Sequence, residues 1–361
     1  MVWFQAAIAG QHQLDPYSRA QFPYPPVWAA LLEGLGQVLG HLGLRESHLA
    51  VVDPSYRAFN DFTQSFSETI TLPAFNVAFK SILFAFDLGV GLLLLRLGTI
   101  LGLSPRARTV LFGTWFLNPF VIFESAVFGG FDVLVAFLVL AAVVALLEER
   151  WGWAGAAVAL GVLTKVSPLF LLPLLGGFAL GLHRVRRWPG ARELRLIARH
   201  PRWLGDLWAE LRPLAALRFA AGGALATAVA FGPEVLAGTW RDALHGTLSR
   251  AELSIGGFSV FGVRQFKVFS WLPQWSIDHG DLVRSTTTLL TLAAGVAGAF
   301  VGLRLARRNP AYGLLAGTLA SLCGILLVQP LTQPQYLVWL LPETLAVMVA
   351  FGVGRWQAVV F

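Results

Sequence analysis

Nine apolar stretches, each roughly the 17 to 25 residues a helix needs to cross a bilayer, follow one another along this chain. They run over 75–97, 108–125, 131–147, 152–168, 168–183, 214–237, 285–303, 311–329 and 336–354. Only 13% of the residues are charged and 56% are hydrophobic, too much apolar surface for a single water-soluble core. In lipid the backbone has to satisfy its own hydrogen bonds, which leaves helices as the spanning element. The expected fold is therefore an all-α polytopic membrane protein of about nine transmembrane helices, one integral domain over residues 1–361.

Charge orients the spans. Segments 96–108, 148–151, 184–218, 304–308 and 355–361 hold 17 of the 27 lysines and arginines but only 5 of the 20 acidic residues. The positive-inside rule places these segments in the cytoplasm, with residues 184–213 as a basic cytoplasmic loop. The net charge of +7 is read as a topology anchor near anionic lipid and not as a nucleic-acid surface. The single cysteine, Cys323, lies in an apolar run and supports neither a disulfide framework nor a thiolate metal site.

This orientation leaves residues 1–74 and 238–284 as external regions. Within the first, 25–44 is long and apolar, but a crossing there would reverse the order of the following charges, so it is expected to form a juxtamembrane helix. The opening residues MVWFQAAIAG are too short and too broken for a span or a signal peptide. An external N-terminal region with nothing ahead of it to start translocation leads us to expect a further helix upstream of Met1.

Charged residues at the external ends of the spans are the candidates for chemistry. In NPFVIFESAVFGGFD, Glu124 sits in a Phe/Ile/Val run and Asp132 opens an apolar helix, where it could equally serve as a cap. Lys165, in LTKVSP, can hold a phosphate or simply snorkel to the surface. Lys80 and Asp87 share one helix face and can pair with neighbouring helices. The second external region combines Arg250, Glu252, Arg264 and Lys267 with glycines and aromatics, and the turn QPLTQPQYLVWLLP brings Gln333, Gln335 and Tyr336 to the same side. There is no P-loop, HExxH or nucleophile elbow.

In order and topology these segments resemble the polyprenol-phosphate-sugar glycosyltransferases of the GT-C superfamily. VWFQAAIAGQHQLDPYSRAQFPYPPVW resembles the family's first external loop with its Tyr-Pro-Pro element. NPFVIFESAVFGGFD and VLTKVSPLFLLP resemble the next external turns, and LSRAELSIGGFSVFG and QPQYLVWLLP the two late ones.

The resemblance implies transfer of a hexose, mannose-like, from a polyprenyl-phosphate donor to an acceptor hydroxyl on a glycan or glycolipid. The active site would face outward from the bacterial cytoplasmic membrane, with membrane lipid around it. It implies no certain cofactor, leaving a divalent ion possible, and places Tyr24 and Trp28 at the lipid entrance. Glu124, Asp132, Lys165, Arg250, Glu252, Gln335 and Tyr336 would bind substrate. The family's early aspartate would fall upstream of Met1, so Asp15 is the fallback for the catalytic base. The alternative is a non-catalytic protein that binds or translocates lipid-linked sugars.

Overall fold

The computed structural model describes residues 2–14, 16–17, 22, 24–52, 69–185, 210–249, 256–257, 279–329 and 331–352. The described residues are overwhelmingly helical. Among the described residues six helices are long and apolar enough to span a membrane: 73–100, 105–128, 213–237, 280–306, 310–328 and 334–351. Three shorter apolar helices lie between them, at 132–147, 151–162 and 167–179. Each falls on one of the stretches expected from hydropathy.

Proline punctuation explains many of the starts. Pro occupies the first helical turn at Pro73, Pro105, Pro119, Pro213 and Pro310, where its missing N–H costs nothing. Three of these helices also carry a side-chain cap. Ser104 Oγ, Asn118 Oδ1 and Asn309 Oδ1 accept from the backbone N–H groups of Ala107, Phe120 and Tyr312.

Helix α1 (Val2–Gln11) and α2 (Pro26–His41) form an N-terminal pair. They pack backbone to backbone: a Cβ on Gly36 would stand 1.7 Å from the Ala7 carbonyl oxygen. After α3 (Glu46–Leu49), strands β1 (Ala50–Val52) and β2 (Thr69–Thr71) pair antiparallel ahead of α4 (Pro73–Ile100). Helix α2 falls within the stretch 25–44, and α1 is an addition to the elements expected.

Next come α5 (Pro105–Phe116), α6 (Pro119–Ile122) and a π-helical turn (Phe123–Phe128), which together make one long rod. Helices α7 (Asp132–Leu147) and α8 (Trp151–Val162) follow, then a 3-10 turn (Ser167–Leu171) running into α9 (Leu172–Ala179). The expected span 152–168 ends early, at Val162, because the chain turns through Thr164 and Lys165 ahead of Pro168. The later helices are α10 (Pro213–Ala237), α11 (Trp240–Ser249), α12 (Gly280–Ala306), α13 (Pro310–Val328), a 3-10 turn (Pro334–Trp339) and α14 (Leu341–Phe351). Helix α7 is the buried axis of the bundle, with thirteen of its sixteen residues inaccessible.

Lipid supplies no hydrophobic drive between helices, so close contact of small residues has to hold them. Gly222 of α10 lies against α8 so tightly that a Cβ would fall 2.0 Å from the Gly152 carbonyl oxygen. Gly313 of α13 does the same to α12, where a Cβ would meet the Ala306 nitrogen at 2.1 Å.

The turns expected on the cytoplasmic side meet at one end of the bundle. Arg96 and Arg150 both pair with Glu148, and Arg212 pairs with Glu149 at 2.7 Å while lying over the Trp151 ring. His183 and Arg184 share a cavity there with Arg307. His183 stacks on Phe178 with ring centres 4.2 Å apart. Burial, then the charges of Arg184 and Arg212, push its pKa down to about 4. The hydrogen bond from Arg212 holds the Glu149 carboxyl below its usual range.

Candidate functional site

The opposite end of the bundle gathers the residues with chemical potential. Asp132 is the first residue of α7, but it caps nothing: Phe131 occupies the cap position and makes no side-chain bond. The Asp132 carboxylate turns inward instead. Its Oδ1 accepts from Lys165 Nζ at 2.7 Å and from Trp339 Nε1 at 2.8 Å. The Asp132 side chain is 3% exposed and that of Lys165 14%, so this is a buried ion pair and not a snorkelling lysine.

Aromatic rings enclose the ammonium. Nζ of Lys165 lies 3.8 Å from the centre of the Tyr336 ring, 4.8 Å from Trp339 and 5.5 Å from Phe131. Tyr336 and Trp339 stack on each other in the 3-10 turn, three residues apart, a spacing that eclipses their side chains. Ring faces in a low dielectric hold the ammonium electrostatically.

The N-terminal pair closes this end. The backbone N–H of Val27 donates to the Leu163 carbonyl at 3.0 Å, which docks the start of α2 against the Lys165 turn. Trp28 stacks on Phe131 at 4.8 Å, and Tyr24 meets the same ring edge-on at 4.8 Å. Trp3 joins both from α1. Trp28 is fully buried, which corrects its expected place at a lipid entrance: it backs the Phe131 ring from inside. Tyr24 is half-buried.

Glu124 sits in the π-helical turn, buried, with its Oε2 lacking a hydrogen-bond partner among the described residues. Gly130 N–H donates to the Glu124 carbonyl at 2.8 Å, and Gly129 ends the turn in the left-handed region at φ 77°. Gln335 Nε2 donates to Gln333 Oε1 at 2.6 Å beside Tyr336. Lys80 Nζ reaches the Val127 carbonyl at 3.4 Å, so α4 braces the same turn. Asp15, Arg250 and Glu252 lie outside the described residues, as do Arg264 and Lys267.

Among the described residues no three or more His, Cys, Asp or Glu side chains gather as metal ligands.

Four residues here were not singled out in the sequence: Trp339, Phe131, Trp3 and Glu343. Glu343, one helical turn beyond Trp339, is completely buried with both carboxyl oxygens unpartnered among the described residues. A carboxylate inside LLPETLAVMVAF was the available signal.

These features define an integral membrane protein of apolar helices whose buried ion pair lies at the end opposite its arginines. Residues 68–192 match the model of glycosyltransferase family 87, a GT-C-type family of membrane glycosyltransferases. The matched stretch contains Glu124, Asp132 and Lys165, and it supports a membrane glycosyltransferase, in line with the resemblance read from the sequence. No curated protein matches the chain.

Proposed function

We propose that the chain transfers a hexose, mannose or a close relative, from a polyprenyl-phosphate sugar to a hydroxyl of a glycan or glycolipid. The reaction would take place at the outer face of a bacterial cytoplasmic membrane. The observation that carries this reading is the Lys165 ammonium, held by Asp132 and ringed by Tyr336, Trp339 and Phe131 at the non-arginine end of the bundle. A lipid phosphate arriving from the bilayer needs a positive group at the depth where its tail remains in hydrocarbon and its head leaves it.

As the bond from the anomeric carbon to the phosphate oxygen breaks, negative charge grows on that phosphate. A preorganised ammonium then stabilises the transition state more than the ground state. Asp132 fixes where the ammonium stands, and Trp339 fixes Asp132. Tyr336, Tyr24 and Gln335 belong to the same proposal as contributors to substrate binding. Arg250 and Glu252 belong to the same proposal as contributors to donor binding.

The test is transfer by the purified full-length chain. Polyprenyl-phosphate hexoses are offered one at a time with a membrane glycolipid extract, and products are read by mass spectrometry. Gain of one hexose by a glycolipid, with release of polyprenyl phosphate, is the expected result. Failure with every common hexose overturns the proposal.

A further inference from the structure

We propose that the cavity at the arginine end of the bundle binds the phosphate headgroup of an anionic membrane lipid, gripped by Arg184 and Arg307. Two segments far apart in the chain build it. Beyond α9, Gly181 takes the left-handed region at φ 85° and turns the chain into the 3-10 turn Leu182–Arg184. The connection from α12 to α13 meets that turn. His183, Arg184, Val185, Ala306, Arg307 and Pro310 line a cavity of about 470 Å³ between them, a size common for small-ligand sites.

The lining divides into a floor and a rim. His183, Val185 and Ala306 are buried, whereas Arg184, Arg307 and Pro310 are exposed. Charge is thus presented at the mouth, above a mostly apolar floor.

The arginines at this end are not all employed alike. Arg96, Arg150 and Arg212 each pair with Glu148 or Glu149. The guanidinium groups of Arg184 and Arg307 make no hydrogen bond or salt bridge among the described residues. The charge of Arg184 does act on Glu149, but that carboxylate is already held by Arg212 at 2.7 Å. Two guanidinium forks on one cavity suit a phosphate, which each can grip through two N–H groups.

Position selects a lipid over phosphate from solution. The span of α12 ends at Ala306 and that of α13 starts at Pro310, and both residues line the cavity. It therefore opens at the depth where hydrocarbon gives way to headgroups, where basic pockets between helices take lipid phosphates. Phe300 and Val296 stand seven and eleven residues before Arg307, which puts them on the same helix face, about 10.5 and 16.5 Å away along the axis. They are 60% and 50% exposed. An acyl chain can follow that apolar stripe while its phosphate stays at Arg307. The Lys165 pair lies at the opposite end of the bundle, so this lipid belongs to the other leaflet and takes no part in the proposed transfer.

The experiment uses the purified full chain, titrated with phosphatidylglycerol and read by native mass spectrometry. Arg184→Gln with Arg307→Gln should weaken phosphatidylglycerol binding by about 30-fold, while Arg106→Ala with Arg218→Ala, which removes two exposed arginines outside the cavity, should leave it near the parent value. In nanodiscs, phosphatidylglycerol should raise the melting temperature of the parent over phosphatidylcholine alone, because it binds only the folded chain. A loss of less than about threefold in the glutamine pair, or an equal loss in the control pair, overturns the proposal. Inorganic phosphate should not raise the melting temperature in phosphatidylcholine discs; a rise that matches phosphatidylglycerol and vanishes in the glutamine pair would mark a site for soluble phosphate and overturn the lipid assignment. The parent alone gives a test that needs no variant. Phosphatidylglycerol with a diazirine beside its glycerol should label residues 183–185 and 296–310, and labelling spread evenly over all span ends overturns the site.

Discussion

Separating Lys165 from Asp132 is the perturbation whose size the structure sets best. Both side chains are nearly inaccessible, and the ammonium also lies 3.8 Å from the Tyr336 ring centre. Lys165→Ala leaves Asp132 with Trp339 as its remaining N–H donor among the contacts described above. Stripping one partner from a buried pair costs about 3–5 kcal/mol, chiefly because the remaining charge is stranded. The lost cation–π contact adds about 0.5–2 kcal/mol. Asp132→Asn strands the ammonium in the same way.

The double variant Lys165→Met with Asp132→Asn strands neither charge and should cost only about 1–2 kcal/mol, the loss of a hydrogen bond and some packing. A double-mutant cycle on Lys165→Met and Asp132→Asn is then expected to give a coupling energy of about 4–9 kcal/mol, read by equilibrium unfolding in mixed micelles. Single effects that add to within about 0.5 kcal/mol would refute the reasoning, because the two groups would then be independent and Lys165 merely a snorkelling residue. In binding, Lys165→Ala should weaken polyprenyl-phosphate hexose at least tenfold, while Lys165→Arg, which keeps the charge, should weaken it less.

Other expectations are narrower. Trp339→Phe keeps the stack on Tyr336 but deletes the hydrogen bond to Asp132, a bond to a charged group worth about 1.5–3 kcal/mol, so melting temperature and donor affinity should fall together. His183 is neutral in the fold down to about pH 4, whereas in the unfolded chain it takes a proton near its ordinary value of 6.5. Its contribution to stability is therefore complete above about pH 6.5 and is lost as pH falls toward 4, and in His183→Phe that part of the pH dependence should disappear. Gly222→Ala drives a methyl against the Gly152 carbonyl and should cost about 1–3 kcal/mol by forcing α8 and α10 apart, measurable as a lower unfolding midpoint. Chelation with EDTA should leave transfer unchanged, since Lys165 supplies the positive charge; loss of activity restored by added Mg²⁺ or Mn²⁺ would contradict that.

The spans and the polarity of the bundle were legible because each rests on a local signal: apolar length for the helices, arginine asymmetry for the ends. Glu124, Asp132, Lys165 and Tyr336 could be singled out for the same reason, as charged or aromatic groups beside apolar runs. Their pairing could not. Lys165 lies 33 residues from Asp132 and Trp339 lies 207 away, and no periodicity connects positions so far apart. Helix α1 escaped because ten residues with a glutamine among them match neither a span nor a soluble amphipathic helix, and it is held by backbone contact with α2. Trp28, inside the helix expected over 25–44, was set at the lipid entrance by the family resemblance, whereas its buried ring stacks on Phe131.

The central claim is that a lipid-linked sugar docks at Lys165 and Asp132 and not at the arginine-rich end, where phosphate also has cations to meet. Photo-crosslinking with a polyprenyl-phosphate hexose that carries a diazirine next to the phosphate tests this directly, with labelled peptides mapped by mass spectrometry. Labels within 120–135, 160–170 and 333–340, displaced by unlabelled donor, are the predicted result. Labels concentrated around Arg184, Arg212 and Arg307 would contradict it.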